Sequence, residues 1–315
     1  MGSGPGHLVS AHAFRIHAVV CGNALPYFQY LVQNARELAS RHAEIAVVAH
    51  CTDADALRTV TTDALADVVV EVNAVPLNPV GGRWWFPLDR LRRMRSPRQT
   101  FPGSSRHAAG LNSAFRMTGG SYDVIADCDT VIVAPQWDTL LVSVLSEVGI
   151  VGAAYEDIGG FSSGRGRRQT YKRLPNVTWV ALSPAHDFRA LDASHGLDRA
   201  VPIRTPEQAA LYNLPIGSEL LRDVGWQLPS YLAARDIRAL AMVHVKPSSA
   251  DARVLHGTSD YHEEFHLRGR PFLVHQRGSR KHPFRSMPLS APFYAALESY
   301  LRNLGAPAST DTGAG

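Results

Sequence analysis

The sequence predicts an α/β fold built on a mostly parallel central sheet flanked by helices, and three observations carry that expectation. Apolar runs of strand length alternate with helix-length amphipathic segments through the first half of the chain, which is the pattern of βαβ units. Helix punctuation falls between them: Gly119-Gly120 stops one amphipathic segment and Pro135 suits the first turn of the next. The length of 315 residues, with 45% hydrophobic and 19% charged side chains, allows roughly three quarters of the unfolded surface to be buried. Such a core needs no disulfide or structural metal, and the composition excludes collagen, coiled-coil and wholly disordered classes.

Taken in order, residues 16–21 read as a first strand, 26–41 as a helix, 44–50 as a second strand, 53–66 as a second helix and 68–72 as a third strand. Residues 76–103 form a Pro/Gly/Arg stretch too long for a simple connector and are expected to be a functional or mobile insertion. Ser104 or Ser105 can cap a helix running to about Met117, after which residues 122–126 return as a strand. Residues 135–148 then read as a helix and 149–155 as a strand. Beyond Asp157 the alternation weakens to a basic glycine loop, a strand near 177–182, short helices and a last strand at 272–275. The organisation expected is one domain over residues 1–305, with a nucleotide-binding half at 15–155 and an irregular, acceptor-shaping half at 156–290. Residues 306–315 read as a disordered tail.

Cys21, Cys51 and Cys128 are an odd number, far apart, so they predict neither a disulfide framework nor a C-x-x-C site. They read as small apolar residues of a reducing, cytoplasmic compartment. No secretion signal or membrane span is legible. The net charge of +4 is small, but arginines cluster at 83–98 and basic residues at 165–173. These are solvated loop charge or phosphate-attracting patches, with peripheral contact at the inner face of a membrane as one outcome. No reader motif accompanies them, so nucleic acid is not expected as a partner.

The most informative segment is Tyr122-Asp123-Val124-Ile125-Ala126-Asp127-Cys128-Asp129. A buried apolar strand delivers two carboxylates to its C-terminal edge, where open α/β sheets bind ligands. Carboxylates one residue apart repel unless something positive lies between them, and a hard divalent cation that also holds phosphates is a natural partner. Asp-x-Asp also arises as a plain polar strand cap, so the spacing alone leaves both readings open.

With its surroundings, this segment resembles the family 2 nucleotide-sugar glycosyltransferases and their relatives of the A-type fold, whose central sheet is Rossmann-like. Asn23-Ala24-Leu25-Pro26-Tyr27 is similar to the family's opening turn, which meets the nucleotide base. Thr52-Asp53 is similar to the strand end that holds the uracil or ribose. His107-Ala108-Ala109-Gly110-Leu111-Asn112 resembles the helix passing below the nucleotide. The resemblance implies that Asn23, Asp53, His107, Asn112 and Asp127 bind the donor, and that Asp129 binds the metal. Val274-His275-Gln276-Arg277-Gly278-Ser279 resembles the family's His-x-x-Gly-Ser segment, which implies His275 in the metal shell and Arg277 and Ser279 by the diphosphate. Arg222-Asp223-Val224-Gly225-Trp226 resembles its Glu-Asp motif with Arg222 in place of the first acid, making Asp223 the first candidate for the catalytic base and Asp157 the second. The implied activity is inverting transfer of a sugar from a nucleoside-diphosphate sugar to a saccharide, lipid-linked or small-molecule acceptor, supported by Mn²⁺ or Mg²⁺.

Three other classes stay open from sequence. A nucleotidyltransferase uses a similar sheet and metal, and a non-catalytic nucleotide-sugar binder would keep the pocket without a working base. His262-Glu263-Glu264-Phe265-His266 satisfies the H-E-x-x-H pattern of zinc proteases. That pattern needs a long buried helix, whereas Gly257, Ser259 and Asp260 precede it and Gly269 and Pro271 follow. A structural amphipathic turn with Phe265 inward is the expectation, with a sugar- or acceptor-contacting role as the alternative. His186, Asp187, Asp192 and His195 read as a helix cap with surface histidines or as a metal cluster. Trp84-Trp85-Phe86 read as a packing anchor or a sugar platform.

Overall fold

A computed structural model describes residues 12–20, 25–40, 43–52, 56–58, 60, 102–154, 161–163, 166–169, 174–194, 200–259, 261–277 and 290–305. The chain runs β1 (His12–Val20), α1 (Leu25–Leu38), β2 (Ala43–Cys51), α2 (Pro102–Arg116), β3 (Tyr122–Asp127), β4 (Thr130–Ile132), α3 (Trp137–Leu145) and β5 (Ile150–Gly152). It continues through β6 (Phe161–Ser163), β7 (Gly166–Gln169), β8 (Trp179–Leu182), β9 (Ala200–Pro202), α4 (Pro206–Tyr212), β10 (Glu219–Leu221) and α5 (Leu228–Ala233). It ends with β11 (Ala239–Ala241), β12 (Val243–Val245), β13 (His262–Leu267), β14 (Arg270–Gln276) and α6 (Ser290–Gly305). The fold is α/β. The expected third strand, the 76–101 part of the insertion and the 306–315 tail lie outside the described residues.

The central sheet has six strands in the order β11-β5-β8-β3-β1-β2. The pairs β1–β2, β1–β3 and β5–β11 are parallel, and β8 alone runs against its neighbours β3 and β5. β8 and β11 follow residue 156 yet complete this sheet, so the two halves expected from sequence interleave. A four-stranded antiparallel sheet, β12-β13-β14-β4, begins where β3 ends, and a third sheet orders β6-β7-β10-β9.

Both faces of the central sheet are covered, which is why its strands read as nearly continuous apolar runs. Along β1, Phe14, Ile16, Ala18 and Val20 cluster with Tyr27, Phe28, Leu31 and Ala35 of α1, Trp137 and Leu141 of α3, and Phe293 and Leu297 of α6. The alternate β1 residue Val19 clusters with Leu111 and Phe115 of α2 and Leu228 and Leu232 of α5. His17, on the face of Val19, sits in a buried polar ladder. Its Nδ1 is 3.1 Å from His50 Nε2 and its Nε2 is 3.2 Å from Asp123 Oδ1. Burial and the adjacent His17 ring push His50 down to about 3, so it stays neutral. Asp123 in turn accepts from the Gly119 N–H at 2.7 Å, which fixes the turn before β3.

α2 lies close against β1 and β2 because Gly110 has no side chain. A Cβ there would stand 2.6 Å from Val19 Cγ1 and 3.3 Å from Thr52 Cγ2. Val19 is β-branched and cannot turn aside cheaply. Gly→Ala inside a helix ordinarily stabilises by about 1 kcal/mol. Here Gly110→Ala should instead destabilise by about 1–3 kcal/mol, the cost of overpacking; an unchanged or raised denaturation midpoint would show that α2 can retreat freely.

Candidate metal and donor site

β3 and β4 belong to different sheets and are joined only by the turn Cys128-Asp129. The turn is held from both sides. The Asp127 N–H donates to Thr178 O at 2.8 Å, Thr130 Oγ1 donates to Asp127 O at 2.7 Å, and the Gln276 N–H donates to Asp129 O at 3.2 Å. β4 pairs with β14 so that His275 lies directly opposite Thr130. The consequence is a convergence: one ligand atom from each of Asp127, Asp129 and His275 lies within 4.8 Å of the others. Asp129 and His275 are buried and Asp127 is half-buried. Two carboxylate oxygens and one imidazole nitrogen suit Mn²⁺ or Mg²⁺, with phosphate oxygens or water completing the shell.

His275 Nε2 is 3.3 Å from Asp129 Oδ1, and its Nδ1 donates to Glu263 Oε2 at 2.7 Å. Burial alone would depress the imidazole, but the carboxylates of Asp129 and Glu263 outweigh it and push His275 up to about 10. Without a cation the ring is therefore protonated at neutral pH, and Nε2 must lose its proton before it can ligate. Cation binding near pH 7 should release about one proton per site, read as calorimetric heats that scale with buffer ionisation enthalpy. Apparent affinity should rise about tenfold per pH unit until His275 has titrated. Uptake with no proton release would place His275 outside the shell.

α2 also reaches the acidic turn. His107 Nε2 pairs with Asp127 Oδ1. Five residues on, Asn112 Oδ1 accepts from the Ala193 N–H at 2.6 Å, and its Nδ2 donates to Asp192 at 3.2 Å and Ser194 at 3.3 Å. Both ends of the Asn112 amide are thus engaged with residues 192–194. Ala193 O accepts from the Gly225 N–H at 3.1 Å. Gly225 has φ +75, and a Cβ there would stand 2.5 Å from Val177 Cγ1. Asp223 lies two residues earlier in this anchored segment, with Oδ1 accepting from the Val224 N–H at 2.7 Å. Arg222, which stands in the place of the motif's first acid, lies over Trp226 at 5.3 Å. Asn23, Asp53, Asp157 and Ser279 fall outside the described residues, as does His195. Asp187 pairs with Arg189 at 2.8 Å on the surface and takes no part in the convergence.

The H-E-x-x-H segment is neither a zinc helix nor a turn: it is β13, buried throughout. In a strand, positions four apart are separated by about 13 Å, so His262 and His266 cannot grip one ion. His262 packs edge-on to Phe293 at 5.1 Å, and His266 pairs with Glu264 at 2.6 Å. Glu264 also accepts from the N–H groups of Arg253, Val254 and Leu255 at 2.9–3.0 Å, pinning that loop. Phe265 does point inward, fully buried. Gly269, expected only to stop a helix, closes a hairpin with Arg268: both have positive φ, at +50 and +76. That turn signal was present in the sequence, and it is what brings Glu263 beside His275.

No family model matches the chain, and no curated protein matches it. Solved structures do. A mannosyltransferase, PcManGT from Pyrobaculum calidifontis in complex with GDP-Man and Mn²⁺, is 16% identical over 56% of this chain with a TM-score of 0.30, and the chain spans 45% of its length. Mouse xyloside xylosyltransferase 1 is 10% identical over 76% of this chain and 86% of its own, with a TM-score of 0.36. The galactosyltransferase LgtC, in complex with donor and acceptor sugar analogs, is 11% identical over 72% of each chain, with a TM-score of 0.33. Among the described residues no helix is long and apolar enough to cross a membrane.

Proposed function

We propose that the protein is a metal-dependent glycosyltransferase that moves a sugar from a nucleoside-diphosphate sugar to an acceptor hydroxyl with inversion. The observation that carries this reading is the convergence of Asp127, Asp129 and His275 at the C-terminal end of a central strand. In the chemistry proposed, Asp129 and His275 hold the cation, which when bound neutralises charge on the leaving diphosphate. Asp127, paired with His107, faces the ribose or donor sugar. Arg277, 39% exposed at the rim, is a cation for the diphosphate. Asp223 takes the acceptor proton as the acceptor oxygen bonds to the anomeric carbon and the bond from that carbon to the phosphate oxygen breaks. Asp157 is the second candidate for that base. The products are the glycosylated acceptor and a nucleoside diphosphate; release of inorganic diphosphate would mark nucleotidyl transfer instead.

The first test is thermal shift with UDP, GDP, dTDP and CDP, each with Mn²⁺ and with chelator, since a ligand selective for the folded state raises its apparent stability. One diphosphate should stabilise the protein only when the cation is present, and Asp129→Ala should erase that gain while the protein stays folded. Equal stabilisation with chelator would sink the metal assignment.

Turnover tests the base separately. Asp223→Asn should lower kcat by about 10²- to 10⁴-fold and leave donor affinity nearly unchanged, because ground-state binding does not use that carboxylate. If Asp157→Asn is the variant that loses turnover, the base is Asp157, and the match of the Arg222-Asp223 segment to the family motif is coincidental.

A further inference from the structure

Glu263 is a carboxylate only 2% exposed, and such a group is retained in a protein interior only where partners hold it. One partner is on β14 and the other is the residue just past its end. The hairpin register places Glu263 opposite His275, whose Nδ1 lies 2.7 Å from Oε2, while Arg277 Nε lies 3.5 Å from Oε1. Arg277 follows two residues after His275, and its N–H donates to Tyr261 O at 3.0 Å, which keeps it against the start of β13. One buried carboxylate therefore braces an imidazole with one oxygen and a guanidinium with the other. The ring edge opposite Glu263 is the one that meets Asp129, with Nε2 at 3.3 Å.

We propose that Glu263 is a positioning residue for the cation centre: it accepts from Nδ1–H of His275 and thereby holds the ring with Nε2 aimed at Asp127 and Asp129. The proposal rests on the cation reading given above and extends it to a residue that touches neither cation nor substrate. An imidazole without this acceptor can rotate about its side-chain bonds or present the other nitrogen, and either change takes Nε2 out of the ligand set. A carboxylate on the far nitrogen of a ligating histidine fixes both ring orientation and the site of protonation. Arg277 holds the carboxylate itself in place from the other oxygen. The glutamate of the H-E-x-x-H pattern thus serves a metal centre through its neighbour strand and not through the flanking histidines.

The test compares wild type, Glu263→Gln, Glu263→Ala and His275→Ala by two measurements. The first is affinity for Mn²⁺ alone, corrected for the proton that binding releases, by calorimetry or from the paramagnetic resonance of the free ion. The second is a histidine-selective ¹⁵N NMR spectrum of the metal-free protein, in which the buried Nδ1–H of His275 exchanges slowly and is assigned by its loss in His275→Ala. Glu263→Ala should weaken Mn²⁺ binding about 10- to 100-fold and lose the slowly exchanging proton. Glu263→Gln, whose carbonyl can still accept from Nδ1–H, should keep the proton and bind Mn²⁺ more like wild type than like the alanine variant. The proposal is overturned if folded Glu263→Ala binds Mn²⁺ as wild type does, or keeps the protected proton, or if Glu263→Gln loses that proton. Should Glu263→Ala fail to fold, the glutamine variant and the wild-type spectrum still decide. If wild type takes up no Mn²⁺, the cation reading falls on its own, and the protected proton alone then decides whether Glu263 holds the ring.

Discussion

Two carboxylates, Asp127 and Asp129, stand at the end of one buried strand, and their mutual repulsion constrains everything around them. Oxygens no more than 4.8 Å apart repel by at least about 3 kcal/mol at an effective dielectric of about 20. The fold answers from opposite sides. His107 of α2 meets Asp127, and His275 of β14 meets Asp129. The same turn is one of two short covalent links between the central sheet and the β12-β13-β14-β4 sheet, the other being Met242 between β11 and β12, so the charge arrangement bears on the docking of the two sheets. A cation placed among these groups would take over the compensation that a proton on His275 provides in its absence.

α2 connects the two functions proposed for the site. Its approach depends on Gly110, its His107 serves the acidic turn, and its Asn112 holds the 192–194 segment, which in turn holds Gly225 beside Asp223. A single rigid helix thus joins the candidate donor and acceptor sides. Beneath it, on the same sheet face, the His50–His17–Asp123 ladder aligns β2, β1 and β3. A neutral His50 makes that ladder a fixed polar brace at neutral pH.

Much of the first half was legible. The strands near 16–21, 44–50 and 122–126 and the helices at 26–41 and 104–117 differ from β1, β2, β3, α1 and α2 by a few residues at most, because strong apolar periodicity and clear turn residues agree there. Pro135 misled slightly: Gln136 takes a left-handed φ of 55 and α3 starts at Trp137. The region from Ser230 to Arg270 gave no readable pattern. Its strands are short, and β13 is buried on both sides while carrying two histidines and two glutamates, so neither alternation nor an apolar run marks it.

By itself the sequence determined the strand that ends in Asp127 with Asp129 just beyond it, since that depends only on neighbouring residues: an apolar run, then acids. It also determined that Phe265 turns inward and that His275 is carried on a strand. What only the tertiary structure decided is which distant groups meet these carboxylates. His275 reaches Asp129 because β14 pairs with β4, and Glu263 reaches His275 because Arg268 and Gly269 close a hairpin whose register includes an irregularity at Phe265/His266. Register between strands far apart in sequence is set by competing pairings and by packing on both faces of a sheet, and no local period encodes it.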